Sequence, residues 1–195
     1  RQADRAEQAD WAERSGASGG RRFGLVAPSH WALARVLRDP PLRRVALASF
    51  AYAFSQLAFV TFLVSYLKLE LGQSLALAAG ILAISRIAST AARIGWGAIA
   101  DRWISPDRLL GWLGIGSALS FLLLGALSYL NQQQPGIAIG WVLSASLLCA
   151  ITSMSWNGVY FAELARRTTP TTLASTAGAA QFLTFSGSML GPVVF

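Results

Sequence analysis

Apolar residues fall in long blocks rather than in stripes. Five runs follow Val45, at about residues 45–67, 74–100, 109–130, 137–161 and 173–195. Each exceeds the ~18 residues at which unbroken hydrophobicity marks a membrane span rather than a core helix. At 1.5 Å per residue each crosses a hydrocarbon layer of about 30 Å. In lipid such runs must be helices, because strands would leave backbone groups unpaired. The pattern predicts an all-α membrane protein, a multi-span helical bundle. Polar punctuation separates the runs: Lys68, then Asp101 and Arg102, then "NQQQPG", then "AELARRTTPTT". Five spans leave one helix without a pair, so a sixth span after Phe195 is expected.

The leader, residues 1–44, reads as a cytoplasmic basic linker. Residues 1–22 are polar and carry a Gly/Ser stretch, "SGASGG". In "SHWALARVLRDPPLRR", Ser29 caps a short helix with Trp31, Leu33, Val36 and Leu37 on its apolar side, and Pro40 and Pro41 stop it. With Arg35, Arg38, Arg43 and Arg44 around it, the segment fits a basic helix on an anionic membrane face. A basic linker with a little helix is the other reading.

Charge supports the membrane assignment. Of 195 residues, 54% are hydrophobic and 13% charged, against about 25% charged in a soluble domain. The net charge of +7 does not imply nucleic acid, because nine of the 16 Lys/Arg precede Val45 and the rest flank or enter apolar runs. The loops carry Lys68, then Arg102 and Arg108, then no basic residue, then Arg166 and Arg167. Basic loops face the cytoplasm, which places the leader and the second and fourth loops inside. Tyr66, Tyr129 and Trp141 would mark the outer boundary, and Trp103, Trp112 and Tyr160 the inner one. Cys149 stands alone, so there is no disulfide framework. His30 lies outside the runs, and no cluster has metal-ligand spacing. No cofactor or metal is expected. An enzyme is disfavoured, since the spans hold no His and no paired carboxylates. A channel is disfavoured too, since the third and fourth spans show no polar stripe.

The stretch "ARIGWGAIADRWISPDR" is the most informative. Gly95 and Gly97 would let another helix approach closely. Asp101 and Arg102 then fall at the inner boundary. Asp101 there can meet a helix N-terminus or an arginine of another segment and latch two helices together. A plain charged turn is the alternative. Gly97, Asp101, Arg102 and Arg108 resemble the cytoplasmic loop motif of the major facilitator superfamily, G-x-x-x-D-R-x-G-[RK]. Ile104 replaces the second glycine, and "SPD" stretches the loop. In the fifth run Gly178, Gly187, Gly191 and Pro192 are similar to the family's G-x8-G-x3-G-P helix-packing pattern. The resemblance covers about residues 38–195.

The resemblance implies a secondary active transporter that works by alternating access. It also implies a partial six-helix half of a twelve-helix fold. The first half of the family typically has an arginine in its fourth helix, and this fourth run has none. The leader looks like the central linker, and "SWNGVYFAELARRTTPTT" resembles bacterial members. The chain thus reads as part of the C-terminal half of a bacterial inner-membrane protein, with the first half as the alternative. Its implied partners are a small-molecule substrate, membrane lipid and the remaining half of the same transporter, with no nucleic acid.

Polar residues at mid-span are candidates for substrate contact. Arg86 lies about 18 Å into the second run and has no carboxylate partner in these spans. That cost must be offset by a wet cavity, a carboxylate of the other half, or an anionic substrate. The last points to small organic anions. Arg93, one heptad on, suits a structural or gating role and would snorkel to the inner surface. Tyr52 and Gln56 share a face. Asn157 and Gln181 complete the candidates. Each of these four either lines a cavity or joins helices by hydrogen bonds. A non-transporting sensor or assembly subunit on the same scaffold is the alternative function.

Overall fold

Two prolines set the first boundary. The computed structural model describes residues 29–133 and 139–194. The polar tract with "SGASGG", part of the "NQQQPG" loop and Phe195 lie outside the described residues, as do the side chains of Ser29 and His30. Helix α1, Ser29–Arg38, ends at Asp39, and α2, Pro40–Leu69, begins on the next residue. Proline has no amide hydrogen to lose and its fixed φ suits the first turn. Pro40 and Pro41 therefore both end the short helix and start the long one, five residues before the expected 45.

The remaining boundaries are equally local in cause. Gly72 turns the chain at φ +61°, a left-handed backbone that side chains disfavour. Ser74 then caps α3, Leu75–Arg102, its Oγ accepting the Leu77 N–H at 3.2 Å. Pro106 opens α4, Pro106–Gln133. The fourth run is not one helix: α5, Ile139–Ser153, and α6, Asn157–Arg166, flank a break at Met154–Trp156. Helix α7 is Leu173–Val194. Four segments are long and apolar enough to cross a membrane: α2, α3, α4, and α5 with α6. Helix α7, at 22 residues, is long enough to cross as well but is not among these four.

The helices pack around two cores. One, at the end of the bundle that carries Arg102 and Arg108 and termed the inner end only as a label, joins Val36, Leu42, Val45, Tyr52, Leu110, Leu113, Trp156 and Tyr160. The outer one joins Phe59, Leu63, Leu67, Ile81, Val142, the fully buried Cys149, and Met154. The widest contact is α2 on α7. Gly187 and Gly191 make it possible: a Cβ at Gly187 would lie 3.0 Å from the Phe50 carbonyl carbon, and one at Gly191 3.2 Å from that of Phe54, with each oxygen closer still. Ser49 and Thr184 share a buried hydrogen bond of 2.8 Å across the same interface. Gly178, nine residues before Gly187, faces open space. Nine residues turn a helix by about 180°, onto its opposite side.

Two other expectations are corrected. Helix α1 docks on α7 and α2 through Ala32 and Val36, while Trp31 and Leu37 point outward. Small Ala32 beside Val36 permits the close approach that Trp31 would prevent. Tyr160 does not mark the inner boundary; it is fully buried, edge-on to Trp156 at 5.3 Å. Among the described residues nothing lies within 4 Å of a Cβ at Gly95 or Gly97, so neither packs against a helix of this chain. The packed face of α3 is Ala78, Ile81, Ser85 and Ser89, and at 100° per residue both glycines are rotated roughly 90–115° from it.

Candidate functional site

Trp156, in the break of the fourth run, organises the inner half of the bundle. It is buried, and its indole lies against the Tyr52 ring at 5.2 Å and 14°. Its Nε1–H donates to Gln56 Oε1 at 2.9 Å. Tyr52 and Gln56, one turn apart on α2, thus meet the same partner. The Tyr52 hydroxyl donates to the Leu110 carbonyl of α4 at 2.6 Å. These contacts join α2 to α4 and to the start of α6. Tyr52→Phe should cost about 1 kcal/mol, the net worth of one such bond. Thermal unfolding of the full-length protein in detergent checks this, and an unchanged midpoint would show that the bond carries nothing.

Tyr52 also lines a cleft of about 660 Å³ between α2 and α4. Ser55, Leu110, Gly114 and Ser117 line it too, and Arg44, Asp107 and Arg167 stand at its inner mouth. The other predicted substrate residues lie elsewhere. Asn157 and Gln181 are half-buried on α6 and α7.

Arg86 is the twelfth residue of α3, near mid-length, and its side chain is exposed. It makes no ion pair or side-chain hydrogen bond among the described residues; its carbonyl accepts the Ser89 and Thr90 hydroxyls at 2.8 and 3.0 Å. Arg93 is exposed too, but instead of reaching along the helix to its end, its Nη2 donates to the Met154 carbonyl at 3.2 Å, an acceptor that the break in the fourth run provides.

At the inner end Asp101, Arg102 and Arg108 are exposed and make no ion pair among the described residues. The charged cluster that does form there was not expected from the sequence. Glu163 is almost fully buried, paired with Arg166 at 3.4 Å and with Arg167. Its i, i+3 and i, i+4 spacing to the two arginines was legible; its burial was not. Trp96 was also missed, although an indole in lipid usually seeks an acceptor. Its Nε1–H reaches the Ile151 carbonyl at 3.1 Å.

The sequence profile of the Major Facilitator Superfamily matches residues 3–192. The chain belongs to the Major Facilitator Superfamily. Comparison with curated proteins and with solved structures returns no match. As a superfamily member with several membrane-crossing helices, it is an integral, multi-pass membrane protein of a transporter family. Its helices fit a partial bundle of the superfamily fold. Superfamily members bind small molecules within lipid and are in general not enzymes.

Proposed function

We propose that the chain is part of the second half of a bacterial secondary transporter in the cytoplasmic membrane, moving small organic anions by alternating access. One observation carries the reading: Arg86, at mid-span, is exposed and without a counter-ion among the described residues. A guanidinium at that depth costs about 3 kcal/mol on insertion scales. A water-filled path and an anionic cargo offset that cost, and the cargo also gives the charge a use. Asp101, Arg102 and Arg108 fit the role of an inner latch whose partner lies in the other half. Gly97 sits one turn before Asp101 and leaves room for that half to close.

Reconstitution tests the reading. Purified full-length protein in proteoliposomes should accumulate small carboxylates under an imposed ion gradient, and less so for uncharged analogues of the same size. Failure to move any solute under a pH, sodium or potassium gradient would instead favour a non-transporting sensor or assembly subunit.

A further inference from the structure

The fourth span is interrupted without a proline. Met154, Ser155 and Trp156 leave the helix, and the backbone hydrogen bonds around them are Met154 N–H to Ala150 and Tyr160 N–H to Trp156. A break inside hydrocarbon frees carbonyls, which must find donors elsewhere. Ser155 supplies one locally, its hydroxyl donating to the Ile151 carbonyl. Two further donors come from a single neighbouring helix. Trp96 adds a second bond to the same Ile151 carbonyl at 3.1 Å, and Arg93 donates to the Met154 carbonyl at 3.2 Å. Arg93 and Trp96 are three residues apart on α3, hence neighbours on its surface. The Arg93 stem also runs past the first turn of α6, where a Cβ on Gly158 would lie 3.6 Å from its Cγ.

The two pieces of the span are anchored differently. Helix α5 packs in the outer core through Val142, Cys149 and Ala150. Helix α6 packs in the inner core through Val159, Tyr160 and Leu164. Between them a few unpaired peptide groups are held by side chains of α3. Side chains release a carbonyl far more readily than a continuous backbone ladder does, so the junction is a hinge with a removable catch. Arg93 spends one of its five N–H donors on it. Arg86 sits two turns away, about 10.5 Å along almost the same face of α3.

We propose that Arg93 and Trp96 of α3 clamp the break between α5 and α6, and that releasing this clamp lets α6 swing as the inner gate. The clamp stands on geometry alone; the gate rests on the transporter reading above. Both are positioning residues, acting through the backbone they hold.

Amide hydrogen exchange on the full-length protein in nanodiscs reads the clamp directly. Arg93→Met, which keeps the stem and removes the donors, should speed exchange over residues 154–160 at least tenfold. Trp96→Phe, which keeps a ring and removes the N–H, should do the same to a smaller degree. Residues 142–150 should stay as in the parent, and Arg93→Lys, with a donor restored, should return towards it. In transport, Arg93→Met should change kcat several-fold while leaving KM within twofold. Unchanged exchange in both variants would overturn the clamp. Faster exchange throughout the chain would also overturn it, since that marks a general packing role. Equal exchange in Arg93→Lys and Arg93→Met would do so as well. If the parent protein moves no solute, the transporter reading falls, and the exchange result still decides the clamp. If exchange responds and kcat does not, the clamp stands and the gate falls.

Discussion

Arg86→Ala in the full-length protein is expected, on the proposed anion-transport reading, to lower transport at least about 100-fold, with normal abundance in the membrane. A charge-assisted hydrogen bond is worth about 1.5–3 kcal/mol, and two of them to one carboxylate give about 3–6 kcal/mol. At 1.4 kcal/mol per factor of ten, even the lower figure exceeds a hundredfold. Insertion should not suffer, because removing an unpaired guanidinium from mid-span relieves a cost. Arg86→Lys should recover part of the activity, since lysine restores charge but not the planar fork. Uptake into proteoliposomes, normalised to reconstituted protein, measures all three. Parental uptake by the alanine variant would remove Arg86 from the cargo path.

Gly187→Val should be the most damaging single change to the fold. A side chain there meets the Phe50 backbone, not the flexible end of a neighbour, so α2 and α7 must separate. The cost is about 3 kcal/mol or more, at the upper end for overpacking. For a chain of this size that lowers the unfolding midpoint by about 6–12 °C. Gly178→Val is the control. It lies on the same helix but faces open space, and should shift the midpoint by less than about 2 °C. A similar loss in both variants would show that helix propensity rather than contact is being measured.

The apolar blocks made the helices legible, because lipid permits little else. The start near Ser74 was legible, but apolarity alone put the first and third starts at about 45 and 109, whereas Pro40 and Pro106 begin those helices earlier by fixing φ for the first turn. The break at residues 154–156 was hidden for a physical reason. Mean apolarity decides whether a segment spans, and it does not register three residues that leave the ladder. The signal was nonetheless present in "SMSWNG", since Ser, Asn and Gly are the residues that turn chains. The donors on α3 then follow, for freed carbonyls in lipid demand partners. The same blindness misplaced Tyr160 and Arg93. Both were assigned by distance from a span end, and both are positioned instead by what the interrupted helix offers them. Spacing did identify Gly187 and Gly191, whose four-residue separation keeps them on one side. The same pattern also named Gly178, whose nine-residue separation from Gly187 turns it to the opposite side of the helix, away from α2. The candidate site was legible as a set of polar residues, but its grouping of Tyr52 and Gln56 around Trp156 needed the fold.

The lone thiol of Cys149 has a practical use. It is sealed between Val142, Ala150 and the neighbouring helices, with no exposed surface. Maleimides applied from either side of the bilayer will find no accessible thiol in residues 1–195. Within this segment, reporter cysteines can therefore be placed one at a time on the loops and on α6 without first stripping the natural one, and topology and motion can be mapped with the native packing around Cys149 left intact.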